Sequence, residues 1–139
     1  MKSVLIHKIV VPGIPKAQPR PRMTKTGHVY TPDSAKAWKE AIMTAFLYQY
    51  KQKIAQPVRL RVLFNFPFPK KSKNKGAFPH IKKPDTDNLL KAVMDSITEA
   101  GVWEDDALVY SIYAEKRYYG GVCGSAEITI EALEKEEGE

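Results

Sequence analysis

The sequence predicts an α+β fold, a mixed β-sheet with two main helices in the order β-α-β-α-β-β. Three observations carry this. Two segments repeat apolar residues at three-to-four spacing, the mark of a helix with one buried face. Three segments alternate apolar and polar residues with period two, the mark of a half-buried strand, and a fourth, at the N-terminus, is a β-branched run. The stretches between them are rich in proline, glycine and lysine, which end regular structure rather than extend it. The chain of 139 residues has the size of one ordinary domain, read here as residues 1–139 with a frayed acidic tail over 131–139.

Residues 3–11 are β-branched and aliphatic and read as the first strand. Residues 13–32 follow, with Lys16, Arg20, Arg22 and Lys25 and no acid. Pro15, Pro19 and Pro21 forbid a helix there. A helix then starts near Pro32 or Asp33, with Asp33 or Ser34 able to cap it, and ends near Gln52. Ala37, Trp38, Ala41, Ile42, Ala45 and Phe46 form its apolar face. Pro57 opens the second strand, where Val58, Leu60, Val62, Phe64 and Phe66 alternate with Arg59, Arg61 and Asn65. Residues 67–84 hold six lysines, His80, four prolines and no acid; loops of that length are commonly functional or mobile. The second helix covers residues 87–100, with Leu89, Leu90, Val93, Met94 and Ile97 on one face and Gly101 as its stop. Leu108, Tyr110, Ile112 and Ala114 alternate in a third strand, and Ala126, Ile128 and Ile130 in a fourth. The glycine-rich turn over residues 119–124 joins these two as a hairpin. Trp38 and Trp103 are assigned to packing.

Charge narrows the function. The formal net charge is +6, yet residues 131–139 hold five Glu and one Lys. Residues 1–130 therefore hold 21 basic and 11 acidic residues, a charge of +10. A body that basic attracts polyanions from a distance, although plain solubility is the duller reading of the same number. No apolar run approaches the ~20 residues of a membrane-spanning helix. His7 and Lys8 interrupt the N-terminal apolar run, which lacks the small-residue cleavage site of a signal peptide. The single cysteine, Cys123, cannot form an internal disulfide and suits a reducing cytoplasm. Cys123, His7, His28 and His80 show no zinc-ligand spacing. No P-loop, dinucleotide-binding glycine fingerprint or nucleophile elbow is present.

The chemistry concentrates in residues 82–106, which begin with Asp85 and Asp87 and end with Glu104, Asp105 and Asp106. Residues two apart point the same way on extended chain but diverge on a helix. Asp85 and Asp87 can therefore share a ligand only on an extended approach to the second helix; the plainer reading is a rich N-cap. Lys91, four residues after Asp87, shares its helix face with Asp95 and Thr98. It is either an ordinary surface ion pair or an ammonium placed to stabilise charge on a reacting phosphate. From Asp87 the helix climbs about 20 Å to Ala100, and a fully extended chain from Ala100 to Asp106 covers at most about 20 Å. Asp106 can return to Asp87 with little slack, or else serve a partner subunit's site. Converging carboxylates repel unless a cation joins them, and hard oxygen ligands select Mg²⁺ or Mn²⁺.

The stretch KPDTDNLLKAVMDSITEAGVWEDDALV resembles the defining segment of the RusA family of Holliday junction resolvases. That segment runs from a basic residue or proline through D-x-D-N-L-x-K, an amphipathic helix and G-x-x-x-D-D to a strand. The stretch GIPKAQPRPRMTKTGHVYTP is similar to the family's Pro/Arg-rich opening. The resemblance implies a RusA-like fold and a homodimeric endonuclease that nicks four-way DNA junctions in recombination and repair. It also implies Mg²⁺ or Mn²⁺ bound by Asp85, Asp87 and Asp106, with Asp105 a weaker candidate, and Lys91 as the lysine needed for cutting. The lysine-rich loop before the motif departs from the family.

Lys16, Arg20, Arg22 and Lys25 on one side, and Lys70, Lys71, Lys73, Lys75, Lys82 and Lys83 on the other, are the candidate contacts to DNA phosphates. Tyr30, Phe68 and Phe78 either stack on unpaired bases or pin these segments to the body. The basic segments serve equally well a non-catalytic protein that binds branched or single-stranded nucleic acid. Against that stands the complete acid set.

Overall fold

The computed structural model describes residues 2–32, 34–48, 53–72, 76–119 and 123–134. Its elements are β1 (Ser3–Pro12), β2 (Arg22–Met23), β3 (Val29–Tyr30), α1 (Lys36–Leu47), β4 (Val58–Phe66), β5 (Phe78–Pro79), α2 (Thr86–Glu99), a 3-10 turn (Asp106–Leu108), β6 (Val109–Tyr118) and β7 (Ser125–Leu133). The expected α+β order is present. Two short strands form a ribbon inside the first basic segment, and β5 lies inside the second.

A mixed five-stranded sheet runs β1-β7-β4-β6-β5. β4 is antiparallel to β7 and parallel to β6. This corrects the expected hairpin of the last two strands, because β4 lies between them. The reason is burial. Val58, Leu60, Val62 and Phe64 of β4 are each at most 2% exposed, so the most apolar strand takes the centre, where both of its backbone edges are paired. The chain from β6 to β7 must then cross one strand. Gly124 makes the crossing possible: its φ is +66°, and a Cβ there would meet Asn65 O at 2.9 Å.

One face of the sheet carries both helices, which also pack on each other. α1 buries Trp38, Ile42 and Phe46, four residues apart, as its apolar stripe requires. Its start differs from expectation. Ala35 occupies the N-cap without a side-chain bond, so Ser34 does not cap; Asp33 and residues 49–52 lie outside the described residues. α2 buries Leu89, Ala92, Val93, Ser96 and Ile97, and the Ser96 hydroxyl donates to Ala92 O at 2.7 Å. Trp103 is fully buried and donates Nε1–H to Thr98 Oγ1 at 2.7 Å. Among the described residues no helix is long and apolar enough to cross a membrane.

Candidate nucleic-acid cleavage site

The start of α2 is where the sequence places its chemistry, and the fold collects cations there. Asp85 is the N-cap, extended at φ −72°, ψ 143°, and Thr86 begins the helix. Asp87 thus sits inside the first turn and Asp85 just before it, so the pair straddles the boundary rather than sharing one extended strand. The Asp85 carboxylate does not cap. Both its oxygens accept from Lys83 Nζ, each at 2.9 Å. That ammonium holds Asp85 below the usual carboxylate range, and Lys116 and Arg20 push the same way. Asp87 accepts the Asn88 backbone N–H at 2.9 Å.

Both basic segments converge on this point. Gln18 N–H donates to Asn88 O at 2.9 Å, which ties the first segment to α2 and brings Arg20 within electrostatic reach of Asp85. On the other side, Lys116 of β6 donates from Nζ to Lys82 O and to Pro84 O, the latter at 2.7 Å. One lysine thereby fixes the loop on which Asp85 is carried. The sequence gives no local signal for it: Lys116 is simply one residue of an alternating strand.

His80 anchors the same loop. It is 7% exposed, lies 4.5 Å from the rings of both Phe66 and Tyr118, and accepts the Lys82 N–H on Nδ1 at 3.2 Å. Burial, with Lys116 nearby, lowers its pKa, so it is neutral near neutrality. Because the unfolded chain binds that proton more readily, His80 contributes stability above the ordinary histidine pKa of about 6.5, and that stability is lost as pH falls below it. The unfolding temperature is expected to drop between about pH 7 and pH 5, and to drop less in His80→Gln. Equal pH dependence of the two proteins would refute this. Phe68 stacks on Phe78 with centroids 5.9 Å apart, and Phe78 meets Tyr118 at 5.0 Å. These two aromatics therefore pin the loop to the body.

The second acidic group arrives elsewhere on α2. Asp105 caps the 3-10 turn by accepting the Ala107 N–H at 2.9 Å, which lowers its pKa. Asp106 is raised, first by the hydrogen bond it shares with Asp105, then by burial and by the charges of Asp105 and Asp95. Lys91, whose charge acts on Asp106 in the opposite direction, pairs with Asp95 at 3.7 Å rather than with Asp87. Asp106, Asp95, Thr98, Glu99 and Lys39 line one open cleft of about 380 Å³. Neither Asp95 nor Lys39 was singled out as a site residue by the sequence. Asp95 had one signal, its position eight residues after Asp87 on the same helix face.

Asp106 therefore meets α2 at the level of Asp95, about 12 Å along the axis from Asp87. The extended path from Ala100 is not taken. The chain turns at Gly101 (φ +77°), buries Val102 and Trp103, and bonds to Ile54 through Val102 O and the Glu104 N–H. Among the described residues no three acids or histidines of one chain lie together closely enough to hold a metal ion. The donor set itself, carboxylates alone, suits Mg²⁺ or Mn²⁺.

Of the other expected DNA contacts, Lys16, Arg20, Arg22, Lys25, Lys70, Lys71, Lys82 and Lys83 are all exposed, while Lys73 and Lys75 lie outside the described residues. Cations around an acid-bearing helix start, with a second acidic cleft further along α2, are groups suited to a phosphodiester. Cations attract phosphates, and carboxylates are the ligands that hard divalent ions take. Comparison with known proteins makes this particular. Residues 12–131 match the family described as "Endodeoxyribonuclease RusA", and the chain belongs to that family. A protein of Bacillus subtilis (strain 168), described as "Uncharacterized protein YqaN", is 32% identical over 124 residues, covering 80% of this chain and 87% of the relative. Family membership implies an endodeoxyribonuclease of the class that resolves Holliday junctions.

Proposed function

We propose that this protein is a homodimeric, divalent-metal-dependent endonuclease that nicks four-way DNA junctions in cytoplasmic recombination and repair. The observation that carries the reading is Asp85, bonded by Lys83 at 2.9 Å and within electrostatic reach of Lys116 and Arg20, at the start of a helix that also presents Asp87 and Lys91. Asp85, Asp87 and Asp106 would hold Mg²⁺ or Mn²⁺. When bound, such an ion neutralises charge at the scissile phosphate and strengthens water as a nucleophile. Lys91 stabilises negative charge that develops on the phosphate. Lys83 and Arg20 orient the backbone beside Asp85, and the remaining cations track the flanking phosphates, which makes binding fall steeply with salt.

The separation of Asp106 from Asp87 supports a site completed across the dimer. Among the described residues none pairs with the outer edge of β6 over residues 109–115, since β5 meets only Arg117 and Tyr118. Tyr110, Ile112 and Tyr113 are exposed along it. Antiparallel pairing of two such edges about a two-fold axis sets the start of one strand opposite the end of the other. It carries Asp106 of one subunit towards the end of its partner's β6, where the partner's own Asp85 loop is held.

The experiment is cleavage of a synthetic four-way junction beside a linear duplex, in Mg²⁺, in Mn²⁺ and in EDTA, with Asp87→Asn alongside. Paired nicks on the junction alone are expected. They require metal and fall on the order of a thousandfold or more in the variant, while junction binding in EDTA is retained. Cutting by Asp87→Asn at the wild-type rate would remove Asp87 from the site. Binding without nicks in every metal would make this a non-catalytic junction-binding protein.

A further inference from the structure

The first basic segment carries an arm whose apolar side chains take no part in the phosphate contacts proposed for its cations. β2 and β3 form a two-stranded ribbon whose tip is closed by hydrogen bonds centred on Thr24. Thr24 N–H donates to His28 O at 2.8 Å and Gly27 N–H to Thr24 O at 3.0 Å. His28 N–H donates to Thr24 Oγ1 at 3.0 Å. Gly27 takes the positive φ, +85°, that the turn needs. The arm is thus pre-shaped, yet every residue from 20 to 31 is exposed.

Its two faces differ. Arg22 pairs with Tyr30, and Met23 with Val29; residues directly opposed in an antiparallel ladder share a face. One face presents a cation and a ring. The other presents two apolar side chains, Met23 at 70% and Val29 at 60% exposure. A single exposed apolar residue is ordinary, but two side by side on a shaped arm form a contact surface awaiting an occupant.

Charge and position identify that occupant. Residues 13–32 contain Lys16, Arg20, Arg22 and Lys25 and no acid, so the arm suits a polyanion. Its root is bonded to α2 through Gln18 and Asn88, one turn from Asp85. A two-stranded ribbon is narrow enough for a DNA groove, and apolar side chains presented there insert between base steps and unstack them. Unstacking costs least where continuous stacking is already interrupted, as it is at the branch point of an open junction.

We infer that the β2–β3 ribbon is a wedge for branched DNA. Met23 and Val29 lie against bases opened at the branch, while Arg22 and Lys25 grip the flanking phosphates. The inference rests on the branched-DNA reading above and adds how a branch is told from a duplex. It does not require cleavage.

The test uses the full-length protein in EDTA, with a four-way junction carrying the fluorescent base 2-aminopurine beside the branch, and a linear duplex as control. Wild type is expected to brighten the probe on saturation. Met23→Ser/Val29→Ser is expected to lose the brightening and bind the junction about tenfold more weakly, with duplex affinity and sedimentation unchanged. Arg22→Gln is expected to weaken binding to both DNAs and to lower the salt slope by about one. Both variants change exposed residues, and matching circular dichroism and unfolding temperature establish that they fold. Unchanged junction preference and brightening in the double variant would overturn the wedge. So would dissociation of the double variant into monomers, which would make this face a subunit contact. Brightening by a wild type that cuts nothing in any metal would leave the wedge standing while the nuclease reading fails.

Discussion

Asp87→Asn mixed with Asp106→Asn, each expected to leave junctions uncut, is expected to recover about a quarter of wild-type nicking. The arithmetic follows from a site shared across the two-fold axis. After free subunit exchange half of the dimers are mixed. In each mixed dimer one site draws Asp87 and Asp106 from the two intact positions, and the other site lacks both. Such dimers nick one strand of a junction but do not make the paired cuts of resolution. If each site were built from one chain, both sites of every mixed dimer would be dead and nothing would be recovered. Strand-specific labelling of the junction separates these outcomes. The structural motive is the level at which Asp106 meets α2: its electrostatic neighbours are Asp105, Asp95 and Lys91, whereas those of Asp85 are Lys83, Lys116 and Arg20.

Trp103→Ala is expected to produce the largest loss of stability of any single change near the site, about 3–5 kcal/mol by denaturant unfolding. The indole is fully buried, and its N–H is satisfied by Thr98 Oγ1 at 2.7 Å. Truncation leaves a cavity between α2 and the strand layer and removes the donor to Thr98 Oγ1, whose own O–H still reaches Met94 O at 2.9 Å. A domain of this size has a total stability of about 5–15 kcal/mol, so the loss is a large fraction of the whole. Trp103→Phe keeps most of the buried ring and loses one hydrogen bond, which costs about 1 kcal/mol beyond the repacking. A deficit under about 1 kcal/mol for the alanine variant would mean that the loop is held by its bonds to Ile54 rather than by Trp103. The same substitution frees the chain just before Asp105 and Asp106, so cleavage is expected to fall even at temperatures where the protein remains folded.

Much of the fold is legible in local pattern. Alternation along β4 and β7, and the stripe from Leu89 to Ile97, report which side of each element meets the core. That depends only on residues a few positions apart. The same holds for the start of α2, where Pro84, Asp85 and Asp87 announce a helix terminus, and for the absence of a helix among the prolines of residues 13–32. The expected hairpin of β6 and β7 is absent because alternation tells a strand which face is buried and nothing about its neighbour. The choice of β4 as the central strand comes from competition among all strands for burial.

The candidate site divides along the same line. The sequence by itself determined the inventory: Asp85, Asp87, Lys91, Asp105 and Asp106 in one stretch, two acid-free basic segments, and the membership of the chain in its family. Tertiary structure decided who meets whom. It brought Lys116 and Arg20, more than thirty and sixty residues from Asp85 in the chain, to its side. It paired Lys91 with Asp95, sent Asp106 to the far end of α2, and raised the β2–β3 ribbon into solvent. The physical reason is range. Burial and helix start are set by neighbours in sequence, whereas charge pairs and hydrogen bonds between distant segments exist only after packing has placed those segments within a few ångströms of each other.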